Sequence, residues 1–165
     1  MSKHTCHSLF PIVVILALTL IMVAAGVAAG EKSKALCPPR LPEDGLHQIK
    51  PDPNLPAEIK AFYGNWHGRW GEGRNDPGHA VPTILVVEEI VSTEKVMVVL
   101  GWGECPICKS EAGCQRFWAR IVTVQGKQVL FFGFPNGKNY SFTLEGDRLV
   151  GTDGSGQVTM HRLGS

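Results

Sequence analysis

The sequence predicts an all-β protein, an eight-stranded antiparallel up-and-down β-barrel preceded by a signal peptide and a proline-rich tether. Three observations lead there. From Gly64 onward, short β-branched and aromatic runs recur at intervals of about ten residues, the spacing of a sandwich or barrel. The runs are joined by sequences of hairpin length, which favours strands paired in chain order. Ahead of them stand one apolar stretch and then a run dense in proline.

The first element is the export signal, residues 1–30. Met1–Ser8 carries Lys3 and no acid, Leu9–Ala25 is almost wholly apolar, and the small residues Gly26-Val27-Ala28-Ala29-Gly30 follow. That order is the order of a signal peptide, cut near Gly30 or Glu31, and it sends the chain to a periplasm or out of the cell. The alternative is an uncleaved membrane anchor, because Leu9–Gly30 is uncharged and long enough to span a bilayer. Cys6 precedes the apolar run, so it is not a lipid-bearing cysteine of the kind that follows such a run. Removing residues 1–30 leaves 15 basic and 15 acidic residues, which gives no cationic excess to neutralise a phosphate backbone. A nucleic-acid partner is therefore not expected.

The second element, residues 31–61, holds six of the 11 prolines. Proline fixes φ and donates no backbone hydrogen bond, so an extended tether is predicted. It ends in a short helical turn over Pro56–Phe62, which Gly64 stops. Residues 62–165 form the barrel domain, with strands predicted at Trp66–Gly71, Thr83–Val91, Lys95–Trp102, Phe117–Val124, Gln128–Phe134, Tyr140–Glu145, Arg148–Thr152 and Gln157–Leu163. Alternation sets the faces. Tyr140, Phe142 and Leu144 share one side of their strand, and Val158, Met160 and Arg162 share one side of the last. An arginine on an apolar face needs partners, and Trp66 or Trp70 of the first strand can cover its guanidinium once eight strands close.

After signal cleavage four cysteines remain: Cys37, Cys105, Cys108 and Cys114. In an exported chain an even number reads as two disulfides, in any of three connectivities. The preferred pairing joins Cys105 or Cys108 to Cys114 locally and the remaining one to Cys37. Cys105-Pro106-Ile107-Cys108 also has the spacing of a redox pair or half a zinc site, but it lacks the βαβ context of the first and the regular fourth ligand of the second. Free thiols are a further alternative.

Other chemistry is sparse, and neither a catalytic residue nor a cofactor is expected. Asp153-Gly154-Ser155-Gly156 departs from the Gly-x-Ser-x-Gly nucleophile pattern and reads as a hairpin turn. No phosphate-cradling loop is present. Glu88 and Glu89 are adjacent in a strand and point oppositely, so one faces water and the inward one either pairs with Arg120, Arg162 or an internal water or lies at a strand end. His67, His79 and His161 lack ligand spacing, so no metal site is predicted and His161 should face outward. Trp102 and Trp118 flank the cysteine loop; they either pack in the core or form a stacking surface at the barrel mouth.

Gly64-Asn65-Trp66-His67-Gly68-Arg69-Trp70 resembles the Gly-x-Trp signature that opens the first strand of lipocalins and the wider calycin superfamily. Arg162 matches the basic residue of their last strand that packs across that tryptophan, and a helical turn before the first strand is also a habit of the group. The resemblance runs from Pro56 to the C-terminus and extends to small exported lipocalin-like modules of bacteria. It implies structural roles for Gly64, Trp66, Trp70 and Arg162; the chain departs from the group in size, since about 100 residues is small for an eight-stranded barrel that holds a ligand, which argues against a generous cavity. The function expected is a non-catalytic binding module that takes a small apolar molecule or a peptide at the mouth, near Trp102 and Trp118. The alternatives are an exported inhibitor or partner-binding protein acting on a secreted hydrolase through the 31–55 segment, and a redox, metal or heme-handling role of the cysteine cluster.

Overall fold

Alternating β-branched and aromatic residues, with five connections of two to five residues and two of ten, leave each strand free to pair with the next, and the chain does so throughout. The structure is a computed structural model that describes residues 39–71 and 80–163. The predicted signal peptide or anchor, Cys37 and His79 lie outside the described residues. The chain divides into two units, Met1–Ala35 and Leu36–Ser165, and every described residue belongs to the second. After a helical turn α1 (Ala57–Lys60) come β1 (Gly64–Trp70), β2 (Val81–Ser92), β3 (Lys95–Trp102), β4 (Gly113–Val124), β5 (Lys127–Gly133), β6 (Asn139–Glu145), β7 (Arg148–Thr152) and β8 (Gln157–Arg162). They form one closed antiparallel barrel in sequential order. Trp66, His67 and Gly68 of β1 pair with Arg162, His161 and Met160 of β8, which removes both sheet edges.

The interior is filled with side chains. Trp66, Leu85, Leu130, Phe132, Phe142, Leu149 and Met160 are at most 2% exposed and belong to one core. Phe132 stacks on Phe117 and on Phe142, with ring centroids 5.1 and 5.8 Å apart.

One end is sealed by the turn that precedes β1. Phe62 is fully buried, and its carbonyl accepts a 2.9 Å hydrogen bond from the Trp66 indole. The Arg162 guanidinium lies 4.0 Å from the centroid of Trp66 and donates to the carbonyls of Tyr63 and Ala61. Last strand, first strand and helical turn are thereby tied at one point. Gly64 makes the junction with φ +117°, a conformation that side chains disfavour, and a Cβ there would lie 3.0 Å from the arginine.

The proline-rich segment differs from a free tether over its described part. Residues 39–50 are extended on either side of a turn, in which the Gly45 amide donates a 3.0 Å hydrogen bond to the Pro42 carbonyl, and they form a strap against the outside of β2, β3 and β4. Three places hold it. The Arg40 carbonyl lies where a Cβ on Gly101 would approach it to 2.4 Å, so only glycine admits the strap there. The β2 bulge leaves Glu88 outside the β2–β3 pairing, and its carbonyl accepts a 2.8 Å hydrogen bond from the Ile49 amide. The Glu88 carboxylate accepts from the His47 amide at 2.7 Å and from Arg116 Nε at 3.0 Å, while Arg116 Nη1 reaches Asp44 at 2.6 Å. Glu88 is 1% exposed and paired on the outer wall, which corrects the expectation of Arg120 or Arg162 as partner. The inner side of β2 is already occupied by Leu85 and Val87, so the bulged residue turns outward under the strap. Val86 and Val99, cross-strand partners fully buried yet absent from the inner core, lie on the same covered wall.

Candidate functional site

Among the described residues the opposite end is open, rimmed by three connections. They are the β3–β4 cysteine loop, the β5–β6 turn and the β7–β8 turn. Between them lies a cavity of about 330 Å³. Trp70, Val81, Leu100, Trp102, Phe134 and Tyr140 give it an apolar wall, and Cys105, Cys108, Ser110, Asn136, Lys138 and Asp153 give it a polar rim.

The aromatic wall is continuous with the core. Trp70 meets Tyr140 edge-on at 5.3 Å, Phe134 lies 5.1 Å from Tyr140 and 4.4 Å from Phe117, and Trp102 lies 5.8 Å from Phe134. These rings pack against the core on one side and are only partly buried on the other. The Trp102 indole donates a 3.0 Å hydrogen bond to the Glu111 carbonyl, which anchors the cysteine loop to the wall. Gly113 lies under the same indole, where a Cβ would stand 2.8 Å from the Trp102 ring.

The rim carries charge in one place. Asp153 caps its own turn, accepting from the Ser155 amide, the Ser155 hydroxyl and the Gly156 amide at 2.8–2.9 Å, and it pairs with Lys138 at 3.4 Å. Burial by itself would raise its carboxyl, but the Ser155 and Gly156 hydrogen bonds and the Lys138 charge outweigh burial and hold it below the ordinary value. Ser155 is thus part of a turn braced by an aspartate. Burial pushes the Tyr140 hydroxyl up, and the Asp153 charge adds to that.

The cysteine loop is a small hairpin in which Cys105 and Ser110 exchange backbone hydrogen bonds of 2.8 and 3.1 Å. Its disulfide joins Cys105 to Cys108, with Cα atoms 5.2 Å apart. That corrects the local pairing with Cys114. β4 begins four residues earlier than expected, at Gly113, so Cys114 is held in the β-ladder opposite Gly101 while Cys105 and Cys108 sit in the loop.

The same early start relocates Trp118. It lies in mid-strand between the inward residues Phe117 and Ala119, so its parity sends it outward. It is 55% exposed beneath Lys95 Nζ, 4.9 Å from the ring centroid, and does not line the mouth. The structure therefore places Trp102, but not Trp118, at the cavity. Trp70 lines it as well as packing against the core, while Gly64, Trp66 and Arg162 stand at the sealed end. Phe134, Tyr140 and Lys138 join the site without having been singled out by motif, although alternation puts Tyr140 on the inner face and its strand start at the rim.

His67 and His161 face each other across β1 and β8 on the outer surface, their rings 6.3 Å apart. Among the described residues no three His, Cys, Asp or Glu side chains gather as metal ligands would.

Comparison with family models, curated proteins and solved structures finds no match to this chain. The closed eight-stranded barrel is thus known from its own strand pairing.

Proposed function

We propose that this chain is a non-catalytic, exported binding module of lipocalin-like kind that takes a small apolar molecule, or an apolar side chain of a peptide, at the barrel mouth. The observation that carries it is the aromatic cavity at the open end. At about 330 Å³ it is near the lower bound of ordinary small-molecule sites, large enough for one or two fused rings rather than a long lipid. Half-buried Trp102 and Tyr140 offer stacking faces held in place by the core, so little ordering is needed on binding. The single Lys138–Asp153 pair at the rim orients a polar edge without dominating the apolar wall. The Gly64, Trp66 and Arg162 arrangement supports the lipocalin-like reading, and the Cys105–Cys108 bridge supports an oxidising compartment.

The test is titration of the purified full chain with the fluorescent apolar probe 1-anilinonaphthalene-8-sulfonate and with a panel of one- and two-ring aromatics. Saturable binding of one equivalent is expected, and Trp102→Ala should weaken it about tenfold while the protein still unfolds cooperatively. Binding unchanged by Trp102→Ala would reject the mouth as the site.

A second reading, a partner-binding protein acting on a secreted hydrolase, is favoured by Trp118, a large ring left open on the outer wall. Loss of hydrolase binding in Trp118→Ala, with probe binding intact, would select it.

A further inference from the structure

Cys105 and Cys108 both line the mouth cavity, and three observations set their bridge apart from one that only holds a fold together. The first is its span. A loop this short removes little freedom from the unfolded chain, so the bond adds less stability than a disulfide between distant segments would. The second is that the loop is held without it. Cys105 and Ser110 pair backbone to backbone and the Trp102 indole holds the Glu111 carbonyl, so the hairpin keeps two anchors at the rim when the sulfurs part. The third is an asymmetry between the two cysteines. Cys105 is buried, whereas Cys108 is exposed next to Ile107, an apolar side chain that is itself open to solvent. The Cys108 amide donates a 3.1 Å hydrogen bond to Cys105 Sγ. An incoming thiolate can therefore reach Cys108, and the sulfur it displaces already holds an amide donor, which offsets the cost of a thiolate in a buried place.

We propose that the barrel mouth passes this disulfide to peptides that carry two cysteines with apolar neighbours. A peptide thiolate attacks Cys108 Sγ; the Cys105–Cys108 bond breaks, a peptide–Cys108 bond forms, and the electron pair stays on Cys105 Sγ. The second peptide thiolate then attacks the first peptide sulfur, which closes the peptide's own disulfide and releases Cys108. Two electrons pass from peptide to bridge, and the two protons that the peptide gives up end on Cys105 and Cys108. One transfer consumes the bridge, and a low-molecular-weight disulfide such as oxidised glutathione restores it, leaving as two thiols. The chain is thus a disulfide carrier. The apolar neighbour of the attacking cysteine lies against Trp102, Phe134 and Tyr140, which share the cavity with the bridge. That choice of substrate rests on the apolar mouth proposed above as a binding site, while the exchange itself rests on the bridge.

Cys105 and Cys108 share the tryptic peptide 96–109, which holds no other cysteine, so its mass reads the bridge whatever other thiols do. The oxidised full chain is mixed with the reduced, amidated peptide Cys-Phe-Gly-Gly-Phe-Cys or with Cys-Ser-Gly-Gly-Ser-Cys, quenched with iodoacetamide at intervals, digested and weighed. Peptide 96–109 should take up two alkyl groups as the added peptide closes, about tenfold faster with the phenylalanine peptide, the effect of burying part of one apolar side chain. Trapping then tests the asymmetry. With the phenylalanine peptide already closed, Cys105→Ser should form a mixed disulfide through Cys108, and Cys108→Ser should form little. The wild-type rates carry the test even where a variant fails to fold. The proposal is overturned if 96–109 stays bridged, if the two peptides react equally fast, or if the two variants trap equally. Titration of the same preparation with 1-anilinonaphthalene-8-sulfonate keeps the two readings apart. Saturable probe binding beside a bridge that stays closed sinks the exchange alone; exchange that prefers phenylalanine, without probe binding, upholds the exchange and sinks the small-molecule reading.

Discussion

The two ends of the barrel are built from the same residue types and do opposite things. At the sealed end Trp66 is wholly buried, its indole bonded to Phe62 and its face covered by Arg162. At the mouth Trp102 also bonds a backbone carbonyl, but that carbonyl belongs to a loop and one side of the ring stays open. An aromatic residue closes a barrel when a preceding segment can fold beneath it, as residues 56–63 do. Where, among the described residues, only loops and turns reach it, the same side chain becomes a surface for something else. The difference lies in the covering chain and not in the tryptophan.

The comparison can be broken most strongly at the sealed end. Phe62→Ala should lower stability by about 4 kcal/mol, the cost of a large buried cavity, as measured by urea unfolding. Probe affinity of the remaining folded protein should change less than about twofold; an equal loss of binding would show that the ends are not separable. Arg162→Ala should cost about 2 kcal/mol by the same measurement, through the lost stacking and two carbonyl bonds. Arg162→Lys should recover little of it, because an ammonium lacks the planar fork that reaches both carbonyls.

At the mouth the expected stability effects are smaller. Trp102→Ala should cost about 1 kcal/mol, since the ring is only partly buried, and its main effect should be on binding. Asp153 sharpens the contrast through pH. Its folded carboxyl titrates below the unfolded value near 3.8, so its contribution is complete above that pH and is lost as pH falls through the folded value. Acid titration followed by the Trp102 fluorescence should show the mouth loosening there, and Asp153→Asn should remove the step. Trp118→Ala should change stability by less than about 0.5 kcal/mol, because its ring is already in water. A larger loss would mean that the outer wall is covered by something beyond the strap.

The strand order, the contact of Arg162 with a first-strand tryptophan and the turn at Asp153 were legible because each depends on local chemistry. β6 alternates Tyr140, Ser141, Phe142, Thr143 and Leu144, and one such strand identifies its own inner face. The strap was not legible as a packed element, although a signal for it existed. β2 reads Ile84-Leu85-Val86-Val87 and β3 reads Val96-Met97-Val98-Val99-Leu100, continuous apolar runs that imply burial on both faces. A barrel wall buried on both faces needs an outer cover, and residues 39–50 are the part of the chain that supplies it. Trp118 was misplaced for a related reason: its strand begins at Gly113, and a polar stretch such as Gly113-Cys114-Gln115-Arg116 becomes strand only when Val99–Trp102 is there to pair with it.

By itself, the sequence determined which segments are strands, that they pair in chain order, and that Arg162 needs a cover from the first strand, because alternation, turn chemistry and a charged residue on an apolar face act over a few residues. Only the tertiary structure decided that the mouth cavity includes Trp102 and excludes Trp118, that Glu88 is buried on the outside, and that Cys105 bonds to Cys108. Those outcomes depend on where distant segments end up relative to one another, and a one-residue change in strand parity or a four-residue change in a strand's start reverses them.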